Sequence, residues 1–168
     1  MTTCQVTVRD VPEKYQGLGG RALTSTIVAR EVPPDCDPVG PANKLAIASG
    51  LLSGTSAPNS GRVSIGAKSP LTGGIKESNA GGTAGHALGR MGIAAIIIEG
   101  QPPDGTWYTL VITPAGAALE PADTLVGLGN YDTVAALAES HGPSVPCITI
   151  GQAGEMQLSA ASLSLIHI

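Results

Sequence analysis

The sequence predicts an α+β fold in which mixed or antiparallel β-sheets are accompanied by a few short helices. Segments with the two-residue alternation of strands outnumber segments with helical spacing, and their order does not follow a regular strand–helix–strand alternation. The 168 residues are enough for one domain with a substantial core. Because the chain has no Phe, three Tyr and one Trp, we expect Ala, Val, Ile and Leu to fill that core.

The N-terminal part contains three predicted elements. Residues 4–9 alternate between polar and less polar side chains, which predicts a half-buried strand. A helix is predicted to open at residues 19–20 and to end at prolines 33 and 34, because proline cannot continue a helix. Its apolar residues at helical spacing are Leu23, Ile27, Val28 and Val32. A turn rich in proline and glycine then leads to a strand predicted over Lys44–Ser49.

The next predicted strand, residues 62–68, carries the first candidate binding feature. Its alternation turns Val63, Ile65 and Ala67 toward a core. The other four residues are expected on one exposed face: Arg62, Ser64, Gly66 and Lys68. Such a face would offer two cations beside bare backbone, which suits a flat anionic ligand. The alternative is that both cations are simply solvated.

A glycine-rich segment, residues 78–82, is the second candidate binding feature. It is predicted to enter a short helix whose apolar residues have i, i+3, i+4 and i+7 spacing: Ala84, Ala87, Leu88 and Met91. Unpaired backbone N–H groups at a helix entrance can converge on an anion. A plain surface turn is the alternative, so the residues alone leave open whether this region binds a phosphorylated planar ligand.

The remainder of the chain is predicted to add further strands and one helix. A continuous apolar run at residues 93–98 is typical of a central strand covered on both faces. A helix with Asp132 as its N-cap is predicted to stop at Gly142. A turn is predicted at residues 101–105, extended segments at 107–113 and 117–120, and a final strand at 146–150.

Composition excludes several classes of function. The net charge of −4, from 9 basic and 13 acidic residues, argues against binding of nucleic acid or an anionic membrane through overall charge. Charged residues make up 13% of the chain, against about 25% in an ordinary soluble domain. We therefore expect other protein to cover much of the surface. The sequence contains no recognisable signal peptide or membrane-spanning run, which predicts a cytoplasmic location.

No catalytic or metal site is predicted from the side chains alone. The three cysteines, at positions 4, 36 and 147, form no CxxC pair and are expected to be isolated thiols. His86, His141 and His167 have no nucleophile beside them in a known pattern, so each is expected to be structural or exposed. Asp35 and Asp37 beside a cysteine are interpreted as a turn, because prolines flank them.

Four blocks of the sequence resemble one known family. Residues 40–82 read GPANKLAIASGLLSGTSAPNSGRVSIGAKSPLTGGIKESNAGG. This segment is similar to the N-terminal domain of the tungsten-containing aldehyde ferredoxin oxidoreductases, and its KSPLTG and SNAGG motifs are highly specific. Residues 17–21, 96–100 and 150–155 resemble further blocks of that family. The resemblance extends to about Ser162, so residues 1–162 are identified as a cofactor-base domain and residues 163–168 are expected to be an artefactual, non-family tail.

The resemblance implies a cofactor and the residues that bind it. In this family the N-terminal domain is the base on which a bis-pterin dithiolene cofactor with tungsten or molybdenum (tungstopterin or molybdopterin) lies. Carried over by motif, the cofactor-binding residues would be Arg62, Lys68, Ser78, Asn79, Gly81 and Gly82. The backbone carbonyl of Asn79 would be a candidate ligand for the magnesium ion that joins the pterin phosphates.

The resemblance also implies the activity of a longer parent enzyme. That enzyme would oxidise aldehydes to carboxylic acids and pass electrons through an iron–sulfur cluster to ferredoxin. The cluster ligands and acid/base residues are missing from this chain, so we expect an N-terminal fragment with no catalytic residue and no activity alone. Expected partners are the parent's C-terminal domains, ferredoxin and an aldehyde, in an assembly that allows a homo-oligomer but includes no nucleic acid or membrane. The alternative function is a non-catalytic pterin carrier or scaffold module.

Overall fold

A four-stranded sheet lies at the centre of the computed structural model, which describes residues 3–102 and 105–166. Its strands are β1 (Lys44–Ser49), β2 (Val63–Lys68), β3 (Ile75–Ala80) and β4 (Ala95–Glu99), in the order β3-β2-β1-β4. Two smaller sheets pair β5 (Tyr108–Thr113) with β6 (Gly116–Pro121) and β7 (Cys147–Thr149) with β8 (Ser164–Ile166). Every strand pair in the described part of the chain is antiparallel, which confirms the predicted α+β class.

Helices cover both faces of the central sheet. The α-helices in the described part of the chain are α1 (Gly20–Glu31), α2 (Ala84–Arg90), α3 (Asn130–His141) and α4 (Gly151–Glu155). On one face, Leu23 and Ile27 of α1 share a core cluster with Ala46 of β1. On the other, Leu88 of α2 shares a cluster with Ile47 of β1. Successive residues of a strand point to opposite faces, so one buried strand serves two cores.

The predictions are confirmed where the local pattern decides the element. The helix predicted after residues 19–20 is α1, and the predicted strand Lys44–Ser49 is β1. The extended segments predicted at 107–113 and 117–120 pair as a hairpin, and the final strand is the short β7. Helix α3 begins at Asn130 with Gly129 as its N-cap, so Asp132 lies in the first turn instead of capping it. None of the described helices has the length and apolar composition that crossing a bilayer requires.

Three predictions are wrong because pairing partners are not encoded locally. Residues 4–9 form no strand, since no other described strand pairs with them. The apolar run at 93–98 contributes to β4, which is an edge strand of the sheet and not a central one. Residues 78–80 belong to β3 and do not enter a helix, because they pair with residues 63–65 of β2. The turn predicted at residues 101–105 falls partly on residues 103 and 104, outside the described residues.

The predicted exposed face of β2 is also wrong except at Arg62, which is exposed, because α1 covers the rest of it. Ser64 is fully buried, and Lys68 is 9% exposed. At Gly66 an added Cβ would lie 2.9 Å from the Cβ of Thr24, so the missing side chain admits the helix and not a ligand. Lys68 Nζ donates to the carbonyl oxygens of Pro34 at 2.6 Å and Cys36 at 2.5 Å. Its charge therefore holds the loop that follows α1 against the sheet.

The loop between β1 and β2 packs on α2 through backbone contacts made at glycines. An added Cβ at Gly89 would lie 2.1 Å from the carbonyl oxygen of Ser53, and one at Gly85 would lie 2.5 Å from that of Gly61. On the loop side, a Cβ at Gly54 would lie 2.6 Å from the backbone nitrogen of Arg90. Real Cβ atoms do not approach other atoms so closely, so these three positions exclude any side chain. Glycine thereby fixes the distance between loop and helix.

A charged cluster at the end of α1 joins that helix to the sheet. Glu31 accepts hydrogen bonds from Lys14 Nζ at 2.8 Å, the Tyr15 hydroxyl at 2.6 Å and Lys44 Nζ at 3.1 Å. Lys44 Nζ also lies 2.7 Å from a carboxylate oxygen of Glu99. The hydrogen bonds from Lys14 and Tyr15, with a further one from Lys44, lower the pKa of Glu31 from 4.5 to about 2, against the opposing effect of burial.

The lowered pKa of Glu31 makes stability depend on pH. A carboxylate with a lowered folded-state pKa stabilises the fold fully above its ordinary pKa of 4.5, and that contribution is lost as the pH falls from 4.5 toward 2. Glu31→Gln is expected to lower the unfolding free energy near neutral pH by about 1–2 kcal/mol and to flatten its decline below about pH 4.5. Urea unfolding across this range checks it. Glu139→Gln, an exposed position on α3, is the control and should keep the wild-type pH profile.

The glycine contact between loop and α2 predicts intolerance of a single methyl group. Gly89→Ala should lower the unfolding free energy by about 1–3 kcal/mol, even though alanine favours a helix by about 1 kcal/mol. Gly74→Ala is the control, because its Cβ would meet only Thr72 Oγ1, at 3.8 Å. Urea denaturation of both variants measures the difference. A Gly89→Ala protein as stable as the wild type would contradict the close contact.

Candidate functional site

Arg62 and Asn79 form a hydrogen-bonded pair at one end of the central sheet. Because Val63 pairs with Ala80 and Ser64 with Asn79, the residue that precedes β2 lies beside the end of β3. Arg62 Nε donates to Asn79 Oδ1, and Arg62 Nη2 donates to the Asn79 carbonyl oxygen at 3.2 Å. Asn79 Nδ2 in turn donates to Ser64 Oγ at 2.8 Å. The buried Ser64 thus orients Asn79, and Asn79 orients the guanidinium.

The fixed guanidinium faces an open cavity of about 430 Å³. The cavity is lined by Asn59, Gly61, Arg62, Gly81, Gly82 and His86. This lining contains one permanent positive charge and no carboxylate, and half of its residues are glycines. Arg62 uses Nε and Nη2 for Asn79 and has further N–H donors, including both on Nη1, for a ligand.

The glycines of the cavity wall have separate structural reasons. Gly82 has a φ of 124°, a backbone conformation that other residues rarely adopt. Gly81 has an ordinary conformation, but an added Cβ there would lie 3.6 Å from Arg62 Nη1 and would occupy space beside the guanidinium. Bare backbone at residues 81–82 therefore lets a ligand approach both the main chain and the charge. An anionic or planar polar molecule fits this combination.

His86 is a wall residue that the sequence interpretation did not assign to the site. It lies in α2, and its Nδ1 accepts a hydrogen bond from the backbone N–H of Gly54 at 3.2 Å. An added Cβ at Gly61 would lie 2.5 Å from His86 Nε2, so the ring edge lies directly against the loop. No spacing in the sequence could reveal this, because the contact spans 32 residues and depends on the loop folding back onto the helix.

The six residues predicted to bind a cofactor are not all brought together. Arg62, Gly81 and Gly82 line the cavity, and Asn79 contacts Arg62. Ser78 lies opposite Ile65 on the strand face away from its neighbour Asn79. Lys68 pairs with Ile75 at the far end of β2, where carbonyl groups bind its ammonium. Ser78 and Lys68 are thus absent from the cavity lining.

The cysteines and acidic residues make no second site in the described ranges. No group of three or more His, Cys, Asp or Glu residues that could hold a metal ion occurs within residues 3–102 and 105–166. Cys36 and Cys147 are free thiols, and burial raises the pKa of Cys147. His167 lies outside the described residues.

Comparison with known proteins places this architecture in a family. The family model described as "Aldehyde ferredoxin oxidoreductase, N-terminal domain" matches residues 1–166. The tungsten-containing aldehyde ferredoxin oxidoreductase of Thermococcus kodakarensis is 35% identical over 166 residues, which are 97% of this chain and 27% of that protein. The enzyme of the same name from Pyrococcus furiosus is 34% identical over 166 residues, with the same coverage of 97% and 27%.

A solved structure supports the same relationship. The active site complex BamBC of benzoyl coenzyme A reductase, in complex with 1,5-dienoyl-CoA, superposes with a TM-score of 0.82 at 31% sequence identity. The superposition covers 88% of this chain and 22% of that one. The chain thus spans about a quarter of the length of the relatives that it matches. Its match over residues 1–166 confirms the resemblance seen in the sequence, and the chain belongs to the aldehyde ferredoxin oxidoreductase family, of which it carries the N-terminal domain.

Proposed function

We propose that the cavity at Arg62 binds the phosphorylated pterin portion of a tungsten or molybdenum bis-pterin cofactor. The observation that carries the proposal is the guanidinium of Arg62, which two contacts to Asn79 hold in place beside a wall of glycine backbone without any carboxylate. A planar guanidinium with free N–H groups suits the oxygens of a phosphate or the polar edge of a pterin. Arg62, Asn79, Gly81 and Gly82 are the residues proposed to hold it.

The donors and the space in the cavity fit such a cofactor. Arg62 supplies charge, and the glycine backbone at residues 81–82 supplies room beside it. The Asn79 carbonyl accepts one hydrogen bond from Arg62, and a carbonyl oxygen has a second lone pair. We therefore propose it as a magnesium ligand as well, because magnesium prefers oxygen ligands. When bound, the cofactor would supply the redox centre, while this chain's residues bind and orient it.

The proposed reaction is that of a longer enzyme. Relatives named tungsten-containing aldehyde ferredoxin oxidoreductases match 97% of this chain, which supports oxidation of an aldehyde to a carboxylic acid with ferredoxin as the electron acceptor. Since the chain covers 27% of those relatives, we propose that the acid/base residues, the iron–sulfur cluster ligands and the ferredoxin surface belong to other parts of the parent protein. The benzoyl coenzyme A reductase likeness shows that this fold does not by itself fix the substrate.

Replacement of Arg62 tests the cavity in the full-length protein. A hydrogen bond to a charged group contributes about 1.5–3 kcal/mol, so Arg62→Ala should weaken cofactor binding about 10- to 150-fold and lower the tungsten and pterin content. Arg62→Lys should recover only part of it, because lysine keeps the charge but loses the planar fork. Metal analysis and pterin fluorescence of the purified variants measure the occupancy.

Two further variants serve as a negative control and as an independent test of the cavity. Arg30→Ala removes an exposed arginine at the end of α1, outside the cavity lining, and should leave occupancy unchanged. Gly81→Val should lower occupancy for a steric reason alone, because its side chain would fill the space beside Arg62. Melting temperatures separate loss of cofactor from loss of fold. Full occupancy in both Arg62→Ala and Gly81→Val would place the cofactor elsewhere.

The proposal that other parts of the parent enzyme complete the active site leads to a separate prediction. The 168-residue chain, supplied with cofactor, should show no aldehyde-dependent reduction of ferredoxin or a dye, because the proposed acid/base and electron-transfer groups are not part of it. The full-length protein assayed under the same conditions is the positive control. Turnover by the 168 residues alone would contradict the proposal that other parts of the protein complete the active site.

A further inference from the structure

We propose that His86 is a second side-chain donor of the Arg62 cavity, and that its Nε2–H binds an oxygen of the phosphate group that Arg62 holds. This inference rests on the proposed function, in which the cavity receives a phosphorylated ligand. It adds a residue that the cofactor-binding motifs do not include.

The hydrogen bond from Gly54 determines the tautomer of His86. The backbone N–H of Gly54 is a donor, so His86 Nδ1 accepts through its lone pair, with the two nitrogens 3.2 Å apart. A neutral imidazole carries one proton, which must then be on Nε2. A protonated ring would lose the bond from Gly54 while keeping the proton on Nε2. His86 Nε2 is therefore a hydrogen-bond donor whenever the loop contact is made.

The Nε2 edge of the His86 ring lies beside Gly61, and both residues belong to the cavity wall. An added Cβ at Gly61 would lie only 2.5 Å from Nε2. Glycine at position 61 therefore leaves room for the ring edge at the wall. The ring is half-buried, and its Nε2 has no hydrogen-bond partner among the described residues. We infer the contact with a ligand from these two observations: His86 lines the cavity, and its Nε2–H has no partner among the described residues.

The charge of the cavity selects the kind of atom that Nε2 would meet. No carboxylate is among the lining residues, and the guanidinium of Arg62 is the charged group there. Two donors on one cavity suit a ligand group with several acceptor oxygens and negative charge, such as a phosphate. Arg62 and His86 come from different elements, the end of the loop before β2 and helix α2. A phosphate between them would bridge those two elements.

The ring is held before any ligand binds. Gly54 has a φ of 86° and packs against the backbone of α2, so its N–H cannot move away from Nδ1 without separating loop from helix. Orientation of the donor therefore requires no rearrangement when a ligand arrives, which favours affinity. The competing interpretation is that His86 serves only to support the loop through Nδ1. Under our proposal the Nε2 of His86 contributes to ligand binding, whereas under the competing interpretation only its Nδ1 has a role.

Two substitutions in the full-length holoenzyme separate the roles of the two nitrogens. His86→Asn keeps an acceptor near the position of Nδ1 but has no donor at that of Nε2, whereas His86→Gln places an amide nitrogen near Nε2. If Nε2 binds the cofactor, His86→Asn should weaken retention of tungsten and pterin about 10- to 150-fold. His86→Gln should retain them nearly as the wild type does. The readout is metal and pterin per polypeptide after extended dialysis.

The outcomes distinguish this inference from the proposed function. Retention by His86→Asn equal to that of the wild type overturns the role of Nε2, while loss of cofactor from Arg62→Ala in the same series upholds the cavity. Full retention by Arg62→Ala and Gly81→Val overturns the cavity itself. If both His86 variants lose cofactor and also melt early, the wild-type holoenzyme structure decides. A distance of about 3.5 Å or less from Nε2 to a phosphate oxygen supports the inference, and any longer distance overturns it.

Discussion

The direct backbone contact between the β1–β2 loop and α2 is the constraint on which the candidate site depends. At Gly54, Gly85 and Gly89 the backbones of the loop and the helix are too close for any Cβ. The contact determines where residues 59–62 leave the loop and enter β2, and it brings the Gly54 N–H to His86. A side chain at any of these glycines would separate the cavity's two walls. The cavity therefore depends on residues that mostly do not line it.

Strand pairing supplies the other half of the geometry. The register of β2 with β3 places Asn79 opposite Ser64 and within reach of Arg62. A shift of one residue would turn Asn79 to the opposite face of the sheet and leave the guanidinium without its two acceptors. That register is supported by burial, since α1 covers Ser64 on one face while Val63 and Ile65 join the α2 cluster on the other. The core and the site are therefore specified by the same alternation.

Local patterns were sufficient to predict several of the elements but not which elements lie next to one another. The spacing of Leu23 and Ile27 and the terminating prolines predict α1, and the alternation of β2 correctly separates Val63 and Ile65 from Ser64 and Gly66. Which face meets water could not be read, because it depends on α1 returning to the sheet from about 40 residues earlier. The small residues Ser64 and Gly66 are themselves explained by that packing, as Gly66 meets Thr24. The bare backbone at Gly66, which was expected to face a ligand, faces helix α1.

The same limit applies to the site. The family motifs predict Arg62, Asn79, Gly81 and Gly82, and the structure groups these four around one cavity. The interpretation of Lys68 as a ligand-facing cation does not agree with its surroundings, because the partners of its ammonium are carbonyls of a loop far away in the sequence. No sequence pattern could assign His86 to the site, because its place there is seen only from its hydrogen bond with Gly54. Long-range contacts decided each of these differences.

The glycine contact has a consequence for how the domain can diversify. The frame of the cavity is carried by main-chain atoms at positions that accept glycine alone, so those positions are closed to variation. Asn59 is an exposed wall residue outside those glycine positions, so its side chain takes no part in the main-chain contact. Mutation can thus exchange wall side chains one at a time on an unchanged frame. Related domains can in this way vary the side chains around the cavity without rebuilding the sheet that supports it.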